Sequence, residues 1–176
     1  MRIAASILYC RAGLQSLTMS LRRELTYDDW DQVLSDLRKL AAGNTPHGKW
    51  NLTQSVKHLN DWLTFPMDGF PQAHIPIHWM LAAMRLTVGK STLKKIISSR
   101  KMSDGVPTMP QTVYADDDQA QAAAVSQIEG SIERFRSHSG PIHASPIFGE
   151  MDKHTAEQLQ LVHFAHHLSW LTPNND

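Results

Sequence analysis

A chain of 176 residues with 41% hydrophobic and 19% charged residues has the length and composition of one ordinary soluble domain with a sizeable core. Its 17 basic and 17 acidic residues cancel, so no global charge draws it to nucleic acid or an anionic membrane, and neither is expected as a partner. The single cysteine, Cys10, excludes an internal disulfide framework and a multi-cysteine zinc site and points to a reducing, cytoplasmic setting, while the count of 10 histidines is the one compositional oddity.

Residues 1–19 read as an N-terminal extension. Arg2 and the apolar run 3–9 faintly resemble a secretory signal, but the run is short and Arg11 interrupts it. The domain is expected to occupy residues 20–173. No stretch of about 20 apolar residues suggests a transmembrane helix.

The stretch "TYDDWDQVLSDLRKLAAG" predicts the first helix: Thr26 as cap, Asp28 and Asp29 in the first turn, Trp30, Val33, Leu34, Leu37 and Leu40 on one face, and Gly43 as stop. After turn residues, "LTQSVKHLNDWLTF" predicts a second helix with Leu52, Val56, Leu59 and Leu63 in a stripe, ended by Pro66. "FPMDGFPQAHIP" is loop by its prolines and glycine, and "IHWMLAAMRLTVG" with "STLKKIISSRK" forms a third element broken near Gly89. Its Lys90, Lys94, Lys95, Arg100 and Lys101 read as a solvated helix face.

Residues 102–115 form a connection. "DDDQAQAAAVSQIEGSIERFRSH" predicts a helix with an acidic first turn and Val125, Ile128, Ile132 and Phe135 on one side. After the loop "SGPIHASPIFGE", the segment "MDKHTAEQLQLVHFAHHLSWL" predicts a closing helix capped by Asp152, with Pro173 beyond its end. With no strand pattern and no repeat, four to five helices imply an all-α, up-and-down bundle with one extended connection.

In the last helix His163, His166 and His167 share the stripe that carries Leu159 and Trp170. A buried imidazole without a partner loses about 1 to 3 kcal/mol of solvent hydrogen bonding, so three of them need partners. His163 and His167, four residues apart, sit over one point of the helix face, a spacing that zinc sites use. His58, inside the second helix beside Trp62, is the best third imidazole. Spacing alone leaves two readings, hydrogen-bonded core histidines or a metal site with open positions. The other histidines, His47, His74, His78, His138, His143 and His154, fall in turns or at element ends and read as solvated or locally bonded.

The order "RRELTYDDWDQVLSDLRKL", "GKWNLTQSVKHLNDWL", "DGFP", "HASPIFGEM" and "HFAHHLSWL" resembles the bacterial family DUF1569, a branch of the DinB-like superfamily, from about Arg22 to Leu171. The resemblance implies a four-helix bundle with up-down-down-up connectivity and extra short helical or loop segments. It implies a divalent metal, zinc or nickel first, on His58, His163 and His167, with His166 as an adjacent polar group or alternative ligand. Two departures concern the loop over the site: Ala144 and Ser145 separate His143 from Pro146, and Gln158 stands where the family often has tryptophan.

By the same resemblance the protein is a thiol-dependent transferase, in which the metal binds a low-molecular-weight thiol such as mycothiol, bacillithiol or glutathione, or a metal-assisted hydrolase if water takes that position. Either nucleophile is available at neutral pH through metal binding, without a protein cysteine. No residue is nominated as general base; Asp61, one turn after His58, is the nearest carboxylate and reads first as a solvated acid. The alternative is a non-catalytic bundle with a structural or vestigial histidine site, serving as a binding or homodimerisation module through its apolar last helix.

Overall fold

The computed structural model describes residues 22–72, 75–106, 108–116 and 121–174; the extension 1–19 with Cys10, His74 and the acidic pair 117–118 lie outside the described residues. Helix α1 spans Trp30–Ala42 and starts later than Thr26 would have it. The cap is Asp29, whose extended backbone lets its carboxylate accept from the Gln32 N–H at 2.9 Å. The residues before it are committed elsewhere. The Arg23 N–H donates to the Ser169 carbonyl, and the buried Tyr27 hydroxyl donates to Asp36 at 2.5 Å.

Helix α2 spans Leu52–Asp68 and opens on a reciprocal capping box between Asn51 and Gln54. It does not end at Pro66. Proline removes the N–H that would have bonded the Trp62 carbonyl, and the Gln160 side-chain amide replaces it at 2.7 Å. With that acceptor satisfied, the helix runs on to Asp68, and Gly69 closes it by donating to the Phe65 carbonyl.

Helices α3 (Ile75–Met84) and α4 (Lys90–Ser99) are joined by one π-helical turn, Arg85–Gly89, rather than broken at the glycine. Gly89 keeps helical dihedrals, φ −55° and ψ −52°. It is needed for packing, since a Cβ there would overlap the Ile147 carbonyl oxygen. Helix α5 spans Gln121–Ser137, and α6 spans Lys153–Leu168 with Asp152 as its cap, accepting from the Thr155 N–H at 2.7 Å.

Helix α6 stops before Leu171 because the chain turns into a strand. β2 (Leu171–Pro173) pairs antiparallel with β1 (Asn44–Pro46), setting Asn44 opposite Pro173 and Pro46 opposite Leu171. Three residues per strand are too few to show an alternating pattern, so the sequence gives no sign of the pair.

The chain is mostly helical, and α1, α2, α5 and α6 supply the core. Val33, Leu37 and Leu40 of α1 and Val56, Leu59 and Leu63 of α2 belong to one core with Ile128, Ile132, Phe135, Phe164 and Leu168, because α1 and α2 each pack against both α5 and α6. Each such side chain contributes about 1.5 to 3 kcal/mol of burial. Trp30 sits between Phe135 and Phe164 with edge-on contacts at 5.7 and 5.4 Å. Helix α4 packs against α6, whereas α3 projects, its main neighbour being the π turn that continues it. Among the described residues no helix is long and apolar enough to cross a membrane.

Candidate metal centre

Helices α2 and α6 face each other where three imidazoles meet. His58 lies on the buried side of α2, one residue before Leu59, and His163 and His167 project from consecutive turns of α6. One ring nitrogen from each of the three lies within 4.8 Å of the others.

The protonation pattern follows from the partners. His58 Nδ1 is 3.0 Å from the Thr112 carbonyl, which can only accept, so Nδ1 carries the proton and Nε2 keeps its lone pair. That lone pair faces His163 Nε2 at 3.3 Å, so His163 donates the bond between the two rings. Burial comes first among the causes that hold all three imidazoles neutral. It pushes His58 down to about 4, against a raising effect of the Thr112 carbonyl, and takes His163 and His167 well below the ordinary histidine value, helped by their mutual proximity.

Two tryptophans wall the cluster. Trp50, just before the α2 cap, stacks on the His167 ring at 5.4 Å and 9° and also meets His58 at 4.9 Å. Trp62 stands edge-on to His163 at 5.9 Å. The segment that carries Thr112 is strapped to α2: the Gln54 amide donates to the Tyr114 carbonyl at 2.9 Å, and the Tyr114 hydroxyl donates to Asp61 at 2.6 Å. Asp61 is therefore a partner of that strap. Burial raises its carboxyl above the usual range, against the lowering effect of the Tyr114 bond, and Tyr114 is pushed up to about 12, chiefly by burial.

His166 is not brought into the cluster. The Arg22 guanidinium donates to its Nδ1 at 3.1 Å, so the ring proton sits on Nε2, which is 3.8 Å from Asp104. Arg22 is itself held by Asp104, by the Ser169 hydroxyl at 2.8 Å and over the Trp170 ring at 4.8 Å. Outside the site, His47 bonds Thr172 and His138 the Pro141 carbonyl, and the His143 N–H donates to the Pro66 carbonyl.

Sequence reasoning missed Thr112, Trp50, Tyr114, Arg22 and Gln160. A backbone carbonyl in a connection has no side-chain signature, and Arg22 meets His166 across 144 residues. For Gln160 a signal exists: it lies three residues before His163, so helix spacing puts it on the same face.

The donor set suits a divalent transition metal. Neutral imidazole is the form that binds one, and a ligating histidine whose other nitrogen donates to a backbone carbonyl is the usual arrangement. In a tetrahedral zinc site with nitrogens at about 2.0 to 2.1 Å, neighbouring nitrogens are about 3.3 to 3.4 Å apart, and the His58–His163 separation of 3.3 Å has that length.

No curated protein and no solved structure matches the chain. A family model, described as "Protein of unknown function (DUF1569)", matches residues 19–174, which is most of the sequence and includes every residue of the histidine cluster. The chain belongs to the DUF1569 family.

Proposed function

We propose that the protein is a divalent-metal-dependent enzyme of the DinB-like type, a four-helix bundle of up-down-down-up connectivity in which His58, His163 and His167 hold zinc or nickel. The observation that supports this best is the fixed tautomer of His58, with Nδ1–H on the Thr112 carbonyl and Nε2 aimed at His163. Among the described residues the cluster offers three ligands rather than four, the number that leaves a position for a reacting group.

When bound, the metal supplies a lowered pKa to a low-molecular-weight thiol or a water, giving a transferase or a hydrolase for a small-molecule substrate. The chain's own residues prepare that position. Thr112 fixes the His58 ring, burial keeps the imidazoles neutral near pH 7 so that each retains one nitrogen lone pair, and Trp50 and Trp62 exclude bulk water from two sides. His166, engaged by Arg22, is not needed as a ligand in this reading.

Elemental analysis of protein purified without a polyhistidine tag tests the site. The expected result is about one metal per chain, lost in His163→Ala/His167→Ala. Less than about a tenth of an equivalent, unchanged in that variant, would remove the metal. With cobalt in the site, added glutathione or another small thiol is expected to produce metal-to-thiolate absorbance. Cobalt bound but indifferent to thiols and small acids would instead mark a structural centre in a non-catalytic module.

A further inference from the structure

Residues 69–103 contain six cations, Arg85, Lys90, Lys94, Lys95, Arg100 and Lys101, and no aspartate or glutamate. Because the whole chain is neutral, the remainder holds 11 basic against 17 acidic residues, a net charge of −6. Overall neutrality, which argued against an anionic surface, conceals this separation. Arg100 is tied to Asp28 and the Tyr27 carbonyl. The other five cations are exposed, and among the described residues none of them forms an ion pair.

The same rod exposes large apolar side chains: Leu86 is 81% exposed, Trp79 71%, Met80 55% and Val88 48%. Trp79 and Met80 are adjacent in sequence, so they point about 100° apart, and Met84 one turn on is also exposed. Apolar and cationic groups are separated along the axis, 79–88 and then 85–101, more than around it. A protein groove takes one stripe of a helix, whereas a helix apolar on several sides suits a medium that surrounds it. A second copy docked rod against rod would lay two six-cation segments side by side.

We propose that the α3–α4 rod is a membrane-surface anchor that seats residues 79–88 in the headgroup and upper acyl region of an anionic phospholipid leaflet, with Arg85, Lys90, Lys94 and Lys95 on the anionic headgroups. Tryptophan and long apolar side chains beside lysines are the composition of interfacial anchors. The 10 residues of α3 extend about 15 Å, half of a bilayer's hydrocarbon core, so insertion is confined to one leaflet.

Flotation of the full chain with vesicles of phosphatidylcholine alone, and with about 30% phosphatidylglycerol at low salt, tests this. Binding to the anionic vesicles is expected to be at least about tenfold the tighter. Lys94→Glu/Lys95→Glu should weaken it by about thirtyfold or more, since each lysine at an anionic surface is worth about fivefold. Trp79→Ser/Leu86→Ser should weaken it by at least about tenfold with an unchanged circular dichroism spectrum. Equal binding to both vesicle types, or undiminished binding by either variant, overturns the proposal. So does a lipid-free dimer in sedimentation velocity that Trp79→Ser/Leu86→Ser converts to monomer, which would assign the face to a second copy.

Discussion

Gln160 on α6 donates its side-chain amide hydrogen to the Trp62 carbonyl on α2, the acceptor that Pro66 deprives of its helical partner. The bond lies one turn from His163, so it sets the spacing of α2 and α6 beside the histidine cluster. Gln160→Ala should cost about 2 kcal/mol, because the part-buried carbonyl loses its donor. In a Pro66→Ala background the residue 66 N–H can take over, and the cost should fall by about 1 kcal/mol or more. Urea denaturation of the four proteins measures the coupling, and additivity within about 0.3 kcal/mol would show that the two residues do not share the acceptor.

Buried Asp36 accepts from the Tyr27 hydroxyl and from both terminal nitrogens of Arg23, at 2.9 and 2.8 Å, while Arg23 also donates to the Leu168 carbonyl at the end of α6. Removing the carboxylate leaves a guanidinium and a phenol without it in a mostly buried place. Asp36→Ala should destabilise the protein by about 3 to 5 kcal/mol, and Tyr27→Phe by about 1 kcal/mol. Denaturation midpoints check the order, and equal losses in the two variants would contradict it.

Two helical glycines should respond to alanine with opposite signs. A Cβ on Gly89 would meet the Ile147 carbonyl oxygen, backbone that cannot swing away, and Gly89→Ala should lose about 1 to 3 kcal/mol. A Cβ on the exposed Gly130 in α5 meets nothing within 4 Å, and Gly130→Ala should gain about 0.5 to 1 kcal/mol. Thermal melts of the two variants decide this, and a shared sign would be the contrary result.

The buried His58 and His163 and the half-buried His167 make the metal-free protein acid-sensitive. A histidine whose folded pKa lies below its unfolded value of about 6.5 binds a proton more readily when unfolded, so stability is full above about pH 6.5 and falls as pH drops toward the folded value. For His58, held near 4, the loss by pH 4 is about 3 kcal/mol, and His163 and His167 act in the same direction. Urea unfolding with a chelator at pH 7 and pH 5 should show the decline, and His58→Gln should make it shallower, with the part due to His163 and His167 remaining. A profile level between those pH values would refute the neutral, buried state of these rings.

The four helices that build the core were legible because each repeats apolar residues at helical spacing: Val33, Leu37 and Leu40 in α1, Val56, Leu59 and Leu63 in α2. The meeting of His58 with His163 and His167 was legible for the same reason, since each is placed by its own helix. The fine structure of both was not. Pro66 reads as a helix end to anyone who cannot see Gln160 arriving from 98 residues away, and Gly89 reads as a break although it serves a carbonyl from another loop. The Thr112 carbonyl that fixes His58 could belong to any residue type, and the charge separation between the α3–α4 rod and the body vanishes in a total of zero.

The pairing of β2 with β1 also bears on how the molecule assembles. Thr45 and Thr172 face each other across a span of the chain that encloses α2 to α6, and His58 meets His163 across 105 residues. Contacts this distant carry a loop-closure cost that local helix pairing avoids. Docking of α6, latched by the strand pair, is what brings His163 and His167 to His58. A chain interrupted before α6 would still have His58 and Thr112, but not the two imidazoles that complete the cluster.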